Sequence, residues 1–431
     1  MYQFLTIPKN RKLALIICTG LILLSLLLNL SGISAEWTQR GIWIISLCLL
    51  FCCLCSMTKK DSFWILFSAF LTRIVLAVLN IQSGNILSTQ LFRVGDDIVF
   101  ANAAHEFYNG NLAYQVNSRR FPQFVSWCYK VFGLDEMIMI LILVFLAMIG
   151  CLAFYHMLSR LTLSERERIL ALFIVCFAPF NIIFSVLLLR EPIYFCFITL
   201  SFLFYQKFCF KYQLCDLLVA IVLTFPAILM HWGYVGVLIV YVSHFVIGYK
   251  SISGKRVQLR IIKITFLIVL LFMATIIVLN SGRMRYFREA GSFTDGLILT
   301  FTKYSGLDGG SKYLSDMQVS SLWNIVLFTP MRIVYFYLSP LFTDWRGWKD
   351  ILCFLLDSIF PLLMCLVYGY MRVMKRKVSL ETRAVIWIIF LTGVLFCWAT
   401  VSAGAAIRHR NCLIPLEMYA IMYLFSERRT A

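Results

Sequence analysis

The chain has 431 residues, 61% of them hydrophobic and 14% charged, with a mean hydropathy of +0.85, which excludes a soluble globular chain, a disordered one, a coiled coil and a collagen. Lys plus Arg outnumber Asp plus Glu 39 to 21, a net charge of +18 that in an apolar chain marks basic cytoplasmic loops rather than a nucleic-acid surface. Nearly all of the 15 cysteines fall inside apolar runs, which excludes a disulfide scaffold and reads as packing.

A bilayer core about 30 Å thick needs about 20 apolar residues per helix. Twelve runs bounded by charge meet that need, at roughly 13–30, 41–57, 62–80, 136–157, 169–188, 191–207, 214–231, 233–249, 264–280, 351–371, 383–400 and 411–425. The expected fold is therefore all-α: a polytopic integral membrane protein whose residues 1–431 form a single transmembrane domain of about twelve helices. A thirteenth apolar run, 321–341, carries Pro330 and Arg332 near its middle.

Orientation follows from the basic residues. The first run follows Lys9, Arg11 and Lys12 and reads as an uncleaved signal anchor, because Ile33 spoils the small-residue pattern before Ala35. With the N-terminus inside, the clusters Lys59 and Lys60; Arg160, Arg166 and Arg168; Lys207 and Lys211; Lys250 to Lys263; Arg372 to Arg383; and Arg428 and Arg429 all face the cytoplasm. That agreement makes run 321–341 re-entrant or interfacial and puts both termini on the cytoplasmic side of a plasma (inner) membrane. Two long segments, 81–135 and 281–350, are left outside, and loops that long are usually functional.

The first outer loop contains Gly95, Asp96 and Asp97 at the head of a helical pattern that stops at Asn109 and Gly110. Asp96 looks like an N-cap and Gly110 like a C′ residue. Two adjacent carboxylates above a membrane domain also suit a general base, or could bind a divalent cation between them. Between the fifth and sixth runs, Arg190 and Glu191 are the whole polar content of a tight outer turn, followed by Pro192 at a helix start. Charges at membrane depth are costly and often functional, although a pair of this kind also sets topology.

Further along, His231 and Trp232 end the seventh run, where they could meet a sugar or simply join the aromatic belt. Arg332, Arg346, Trp345 and Trp348 lie on or near the re-entrant region and suit a glycan, a lipid phosphate or interfacial anchoring. Arg408, His409 and Arg410 precede the last run on the outer side, where the positive-inside rule disfavours arginine. If that segment is extended, Arg408 and Arg410 address one phosphate together. Arg73 lies near the outer end of the third run and reads as snorkelling. Cys48, Cys52, Cys53 and Cys55 have no nearby histidine, and no Walker loop, GxGxxG, HExxH or GxSxG occurs.

Three of these stretches together resemble bacterial polytopic glycosyltransferases of the GT-C type, the broad group of protein mannosyltransferase-like and aminoarabinose transferase-like enzymes. In that group an acid at the start of the first outer loop precedes an Ala-rich helix and a Gly-Tyr element, here Asp96, Asp97, Ala101, Ala103, Ala104, Gly110 and Tyr114. A Leu-Leu-Arg-Glu stretch follows, here Pro179 and then Leu188 to Glu191, and an Arg-x-Arg-x4-Pro stretch closes the pattern at Arg408, Arg410 and Pro415. Phe100 stands where a tyrosine is common, and Ser402, Gly404 and Ala405 only echo the usual residues before the arginines. The resemblance implies an inverting transfer from a polyprenyl-phosphate-linked sugar to a glycan or lipid acceptor at the outer face, in cell-envelope polysaccharide or glycolipid assembly. By that logic Asp96 or Asp97 is the base, Arg408 and Arg410 hold the lipid phosphate, and Arg190 and Glu191 position donor or acceptor.

The physics points the same way. A donor confined to the membrane must be met by cations near helix ends, and an enzyme on the outer face has no ATP, so the missing nucleotide motifs are expected. The nearest rival reading is an O-antigen or capsular repeat-unit polymerase acting on undecaprenyl-diphosphate-linked oligosaccharide, which would use Arg283, Arg285 and Arg288. A transporter or flippase for lipid-linked glycans is another, and would place polar groups along a path through the spans, where Asp216, Asp357 and Arg73 are the visible ones.

Overall fold

A computed structural model describes residues 19–21, 23, 36–91, 95–116, 118–248, 292–305, 312–314, 317 and 319–430. Most of the signal-anchor run, the run 264–280, the Lys250 to Lys263 cluster and Arg283, Arg285 and Arg288 lie outside the described residues. Every regular element described is helical, and the one strand-like pairing among the described residues is an isolated antiparallel bridge between Lys312 and Ser402.

Among the described residues five helices are long and apolar enough to cross a membrane: Trp37–Cys55, Lys60–Gln82, Glu136–Leu158, Glu191–Lys211 and Trp348–Val373. A bent pair, Glu165–Phe177 and Pro179–Ser185, makes a sixth if counted as one span. The runs expected at 214–231, 233–249 and 321–341 form shorter helices, Leu214–Met230, Trp232–Val246 and Leu322–Leu338, and those at 383–400 and 411–425 form Leu380–Phe396 and Ile414–Thr430. A 17-residue helix is about 26 Å long, short of a hydrocarbon core of about 30 Å. Among the described residues, five or six of the twelve expected spans are thus met by a helix of full length.

The chain divides into two compact units: residues 1–203, 229–231 and 425–431, and residues 204–228 and 232–424. In the first unit the helices are α1 (Glu36–Cys55), α2 (Lys60–Gln82), α3 (Asp96–Tyr108), α4 (Arg120–Phe132), α5 (Glu136–Leu158), α6 (Glu165–Phe177) and α7 (Pro179–Ser185), followed by the first part of α8 (Glu191–Lys211). Helix α2 packs against α5 and α6, and α3 against α4. The second unit holds most of α9 (Leu214–Met230), then α10 (Val235–Gly248), α11 (Phe293–Ser305), α12 (Leu322–Leu338), α13 (Trp348–Cys353), α14 (Ile359–Val373), α15 (Leu380–Phe396), α16 (Ala403–Arg410) and most of α17 (Ile414–Thr430). There α10 packs against α15, and α12 against α14, α15 and α16.

Local chemistry explains the helix ends. Ser164 starts α6 with a capping box, its hydroxyl accepting from the Glu167 amide while the Glu167 carboxylate accepts from the Ser164 amide. Ser321, Ser379 and Ser402 cap α12, α15 and α16 in the same position. The run at 169–188 breaks because Pro179 has no N–H for the carbonyl of Val175. That carbonyl accepts instead from Asn181 Nδ2 at 3.2 Å, and the neighbouring carbonyl of Cys176 accepts from Arg73 Nη2 at 2.8 Å. Arg73 also donates to Ser185 Oγ at 3.1 Å and to Ala69 O at 3.1 Å, and it is fully buried. The expectation that it snorkels is corrected: its guanidinium stays inside because the helix break supplies acceptors there.

Candidate active site

Helix α3 begins at Asp96, with Gly95 at the N-cap in the left-handed region, φ 69°. Asp96 is therefore the first helical residue and not the cap expected, because a residue without a Cβ takes the turn more easily. The far end is as expected. Gly110 N donates to Phe107 O and Asn111 N to Glu106 O, the paired bonds of a Schellman motif.

Successive helical residues point about 100° apart, so the two aspartates part company. Asp96 is half-buried, whereas Asp97 is only 5% exposed and borders a cavity of about 180 Å³. Asn80, Asn85, Asn102, Glu136 and Leu188 also line it, and among the described residues no Lys or Arg does. The Oδ1 of Asp97 is buried with no hydrogen-bond partner among the described residues. Asp97 and Glu136 both sit in first turns, of α3 and α5, where the helix dipole favours negative charge.

The walls of this cavity are tied down. Asn80 Nδ2 donates to Asn85 Oδ1 at 3.2 Å, and Asn80 Oδ1 accepts from Leu87 N at 3.0 Å. Glu136 Oε1 lies 3.6 Å from His105 Nε2, one helical face further along α3. Asp135 caps α5 through Met137 N at 2.8 Å and is held by Arg40 Nε at 2.7 Å and Nη2 at 3.2 Å. Beside His105 stands Tyr129, ring to ring at 5.5 Å, whose phenol is pushed up by burial and then by the charges of Glu136 and Asp135.

The second sequence stretch joins this site. Leu187 and Leu188 border the cavity, and the Arg190 guanidinium lies 5.8 Å from the Phe100 ring of α3 and 5.9 Å from the Tyr194 ring. Arg190 Nη1 donates to Met230 O at 3.2 Å, while its Nε is buried with no hydrogen-bond partner among the described residues. Glu191 opens α8 at 2% exposure, which moves Pro192 to the second helical position. His231 is half-buried with its ring edge toward Tyr194 at 6.5 Å.

The third stretch lies in the other unit and differs from the expectation. Residues 403–410 are helical, not extended, so Arg408 and Arg410 are about 200° apart and do not share a face. Arg410 is 1% exposed and ion-paired through Nε with Asp357. Its Nη1 donates to Phe336 O, and its Nη2 to Ser339 O and to Ser358 Oγ at 2.8 Å. Those carbonyls belong to the last turn of α12 and the residue after it, so Arg410 caps a helix C-terminus with four of its five N–H groups turned into the fold. Arg408 and His409 are half-buried, with the His409 ring 4.7 Å from Phe396 and its carbonyl accepting from Tyr234 Oη at 2.8 Å.

Arg332 is fully buried in α12 and stacks 4.2 Å over Trp398, with none of its guanidinium nitrogens hydrogen-bonded among the described residues. Arg346 is exposed and borders a second polar cavity of about 120 Å³ with Lys312, Ser339, Asp344 and Asp350. Among the described residues no three His, Cys, Asp or Glu side chains converge as a metal site, so the cation considered at Asp96 and Asp97 finds no third ligand of these types.

No family model, curated protein or solved structure matches this chain. The site therefore rests on its own geometry. Sequence reasoning missed Glu136, Asn80, Asn85 and Asn102. In the sequence Glu136 only opens the apolar run 136–157, and the asparagines come from separate stretches that meet at the cavity.

Proposed function

We propose that the protein is a GT-C-like glycosyltransferase of the plasma (inner) membrane, with about twelve spans and cytoplasmic termini, that uses a polyprenyl-phosphate-linked sugar at the outer face in cell-surface glycan assembly. The observation that carries this reading is Asp97: a carboxylate 5% exposed, with an unpartnered oxygen, bordering a polar cavity beside a buried arginine-glutamate turn. A buried, unsatisfied carboxylate costs stability and is retained where chemistry needs it.

In this reading the acceptor hydroxyl enters the cavity and Asp97 takes its proton. The hydroxyl oxygen bonds to the anomeric carbon as the bond from that carbon to the phosphate oxygen breaks, and the electron pair leaves with the polyprenyl phosphate. A single displacement inverts the centre. Arg190, with its buried Nε, faces the charge that grows on the leaving phosphate, where a preorganised cation lowers the barrier. Asn80, Asn85 and Asn102 supply donors and acceptors for the hydroxyls of the acceptor.

The test is transfer of radiolabelled sugar from a polyprenyl-phosphate donor by the full-length protein in proteoliposomes. Asp97→Asn keeps the shape and removes the base, so the rate should fall by about 10²- to 10⁴-fold. A wild-type rate in Asp97→Asn overturns the assignment. Movement of the lipid-linked sugar across the bilayer with no transfer by the wild type replaces it with the transporter reading.

A further inference from the structure

A cavity of about 510 Å³ opens between α10 and α15, within the volume range of ligand sites. Its shape follows from one glycine. Near the start of α10, a Cβ added to Gly236 would lie 3.2 Å from Leu391 Cβ and 3.3 Å from the Thr392 amide, so the two helices meet there nearly backbone to backbone. Toward the end of α10 and the start of α15 the cavity lies between them, lined by Ser243 and His244 on one side and Leu380 and Arg383 on the other.

The lining is divided by polarity. Val240, Trp387 and Leu391 form the apolar length, and Ser243, His244 and Arg383 gather at one end. Arg383 is exposed and has no ion pair among the described residues. His244 shares a hydrogen bond through Nδ1 with the Tyr205 hydroxyl, and Tyr205 is stacked on Tyr241 at 4.4 Å. That support fixes the imidazole and leaves Nε2 as the nitrogen for a ligand. Arg372, Lys375, Arg376 and Lys377 directly precede α15, against the single acid Glu381, so the polar end of the groove is strongly positive.

We propose that this groove binds one anionic phospholipid of the surrounding bilayer, its phosphate held by Arg383, Ser243 and His244 and an acyl chain lying along Val240, Trp387 and Leu391. A cation at one end of an apolar slot between two apolar helices repeats the polarity of such a lipid. Basic pockets between membrane helices are recurrent anionic head-group sites, and a free phosphate would leave the apolar length unmatched. The groove shares no lining residue with the Asp97 cavity, and its occupancy does not depend on glycosyl transfer.

The full-length protein purified in neutral detergent, titrated with phosphatidylglycerol or with phosphatidylcholine of the same chains, tests this by thermal unfolding. Phosphatidylglycerol should raise the Tm saturably and phosphatidylcholine should not. Arg383→Gln should keep the lipid-free Tm and weaken apparent phosphatidylglycerol affinity roughly fivefold, whereas Arg376→Gln in the preceding loop should leave it unchanged. Val240→Phe, which alters no charge but fills the slot, should weaken it as well and serves if Arg383→Gln does not fold. Equal responses to the two lipids, undiminished affinity in Arg383→Gln and Val240→Phe, an equal loss in Arg376→Gln, or tighter binding of polyprenyl phosphate than of phosphatidylglycerol each overturns the proposal.

Discussion

Around Arg410 in the second unit, Nε, Nη1 and Nη2 each find an acceptor: a carboxylate, two backbone carbonyls and a serine hydroxyl. Around Asp97 in the first unit, one carboxylate oxygen is buried with no partner and faces a polar cavity. Both side chains are withdrawn from water, 1% and 5% exposed. The difference teaches how to tell structural from functional charge in an apolar chain. A buried charge paired inside the fold with an opposite charge holds the fold together, while one left without such a partner beside a cavity is available to a ligand.

The comparison breaks first at Arg410. Arg410→Leu leaves the Asp357 carboxylate buried without its cation and uncaps α12, and removing one partner of such a pair costs about 3–5 kcal/mol. Thermal or denaturant unfolding in detergent should show that loss, and Arg410→Leu with Asp357→Leu should recover most of it. If Arg410→Leu unfolds like the wild type, the residue is not structural and the lipid-phosphate role expected of it returns.

Arg73 asks whether the rule belongs to one unit or to the whole chain. Its three hydrogen bonds in the first unit copy the Arg410 pattern without a carboxylate. Arg73→Leu should cost less, about 1–3 kcal/mol, chiefly by orphaning the carbonyl of Cys176 at the helix break. Sugar transfer per folded molecule should be unchanged, as read by activity normalised to the folded fraction.

Asp97→Asn should behave in the opposite way. Replacing an unsatisfied buried carboxylate by an amide removes a desolvation cost, so stability should stay within about 1 kcal/mol of wild type or rise, even as transfer is lost. A large loss of stability in Asp97→Asn would place Asp97 with Arg410 among the structural charges.

How much of this could be read from the sequence depends on the range of each interaction. Asp97 and Arg190 were legible because a charge in an apolar chain stands out where it occurs. The Gly110 C′ position was legible because capping is local, whereas Asp96, expected as an N-cap, is displaced from it by Gly95. The partner of Arg410 was not, since Asp357 is 53 residues away and pairing at that distance leaves no local pattern. The orientation of Arg408 and Arg410 was left conditional for a related reason: an Arg-x-Arg spacing converges in an extended segment and diverges in a helix, and Ser402 decides for the helix. Among the described residues fewer full-length helices form than apolar runs, because hydropathy does not register where Pro179 or a turn cuts a run.

The smallest effect concerns α4, which packs against the helix that carries Asp97. Cys128, next to Tyr129 on α4, is 4% exposed, and burial pushes its thiol from an ordinary value of 9.0 up to about 11. The unfolded chain therefore releases this proton first. Between pH 9 and 11 it binds fewer protons than the folded one, so the contribution of Cys128 to stability is fully present below pH 9 and is lost as pH rises through that window. Unfolding midpoints measured from pH 8 to 11 should fall less steeply in Cys128→Ala than in the wild type. Equal slopes would mean that water reaches the Cys128 side of α4 and that its burial does not hold in solution.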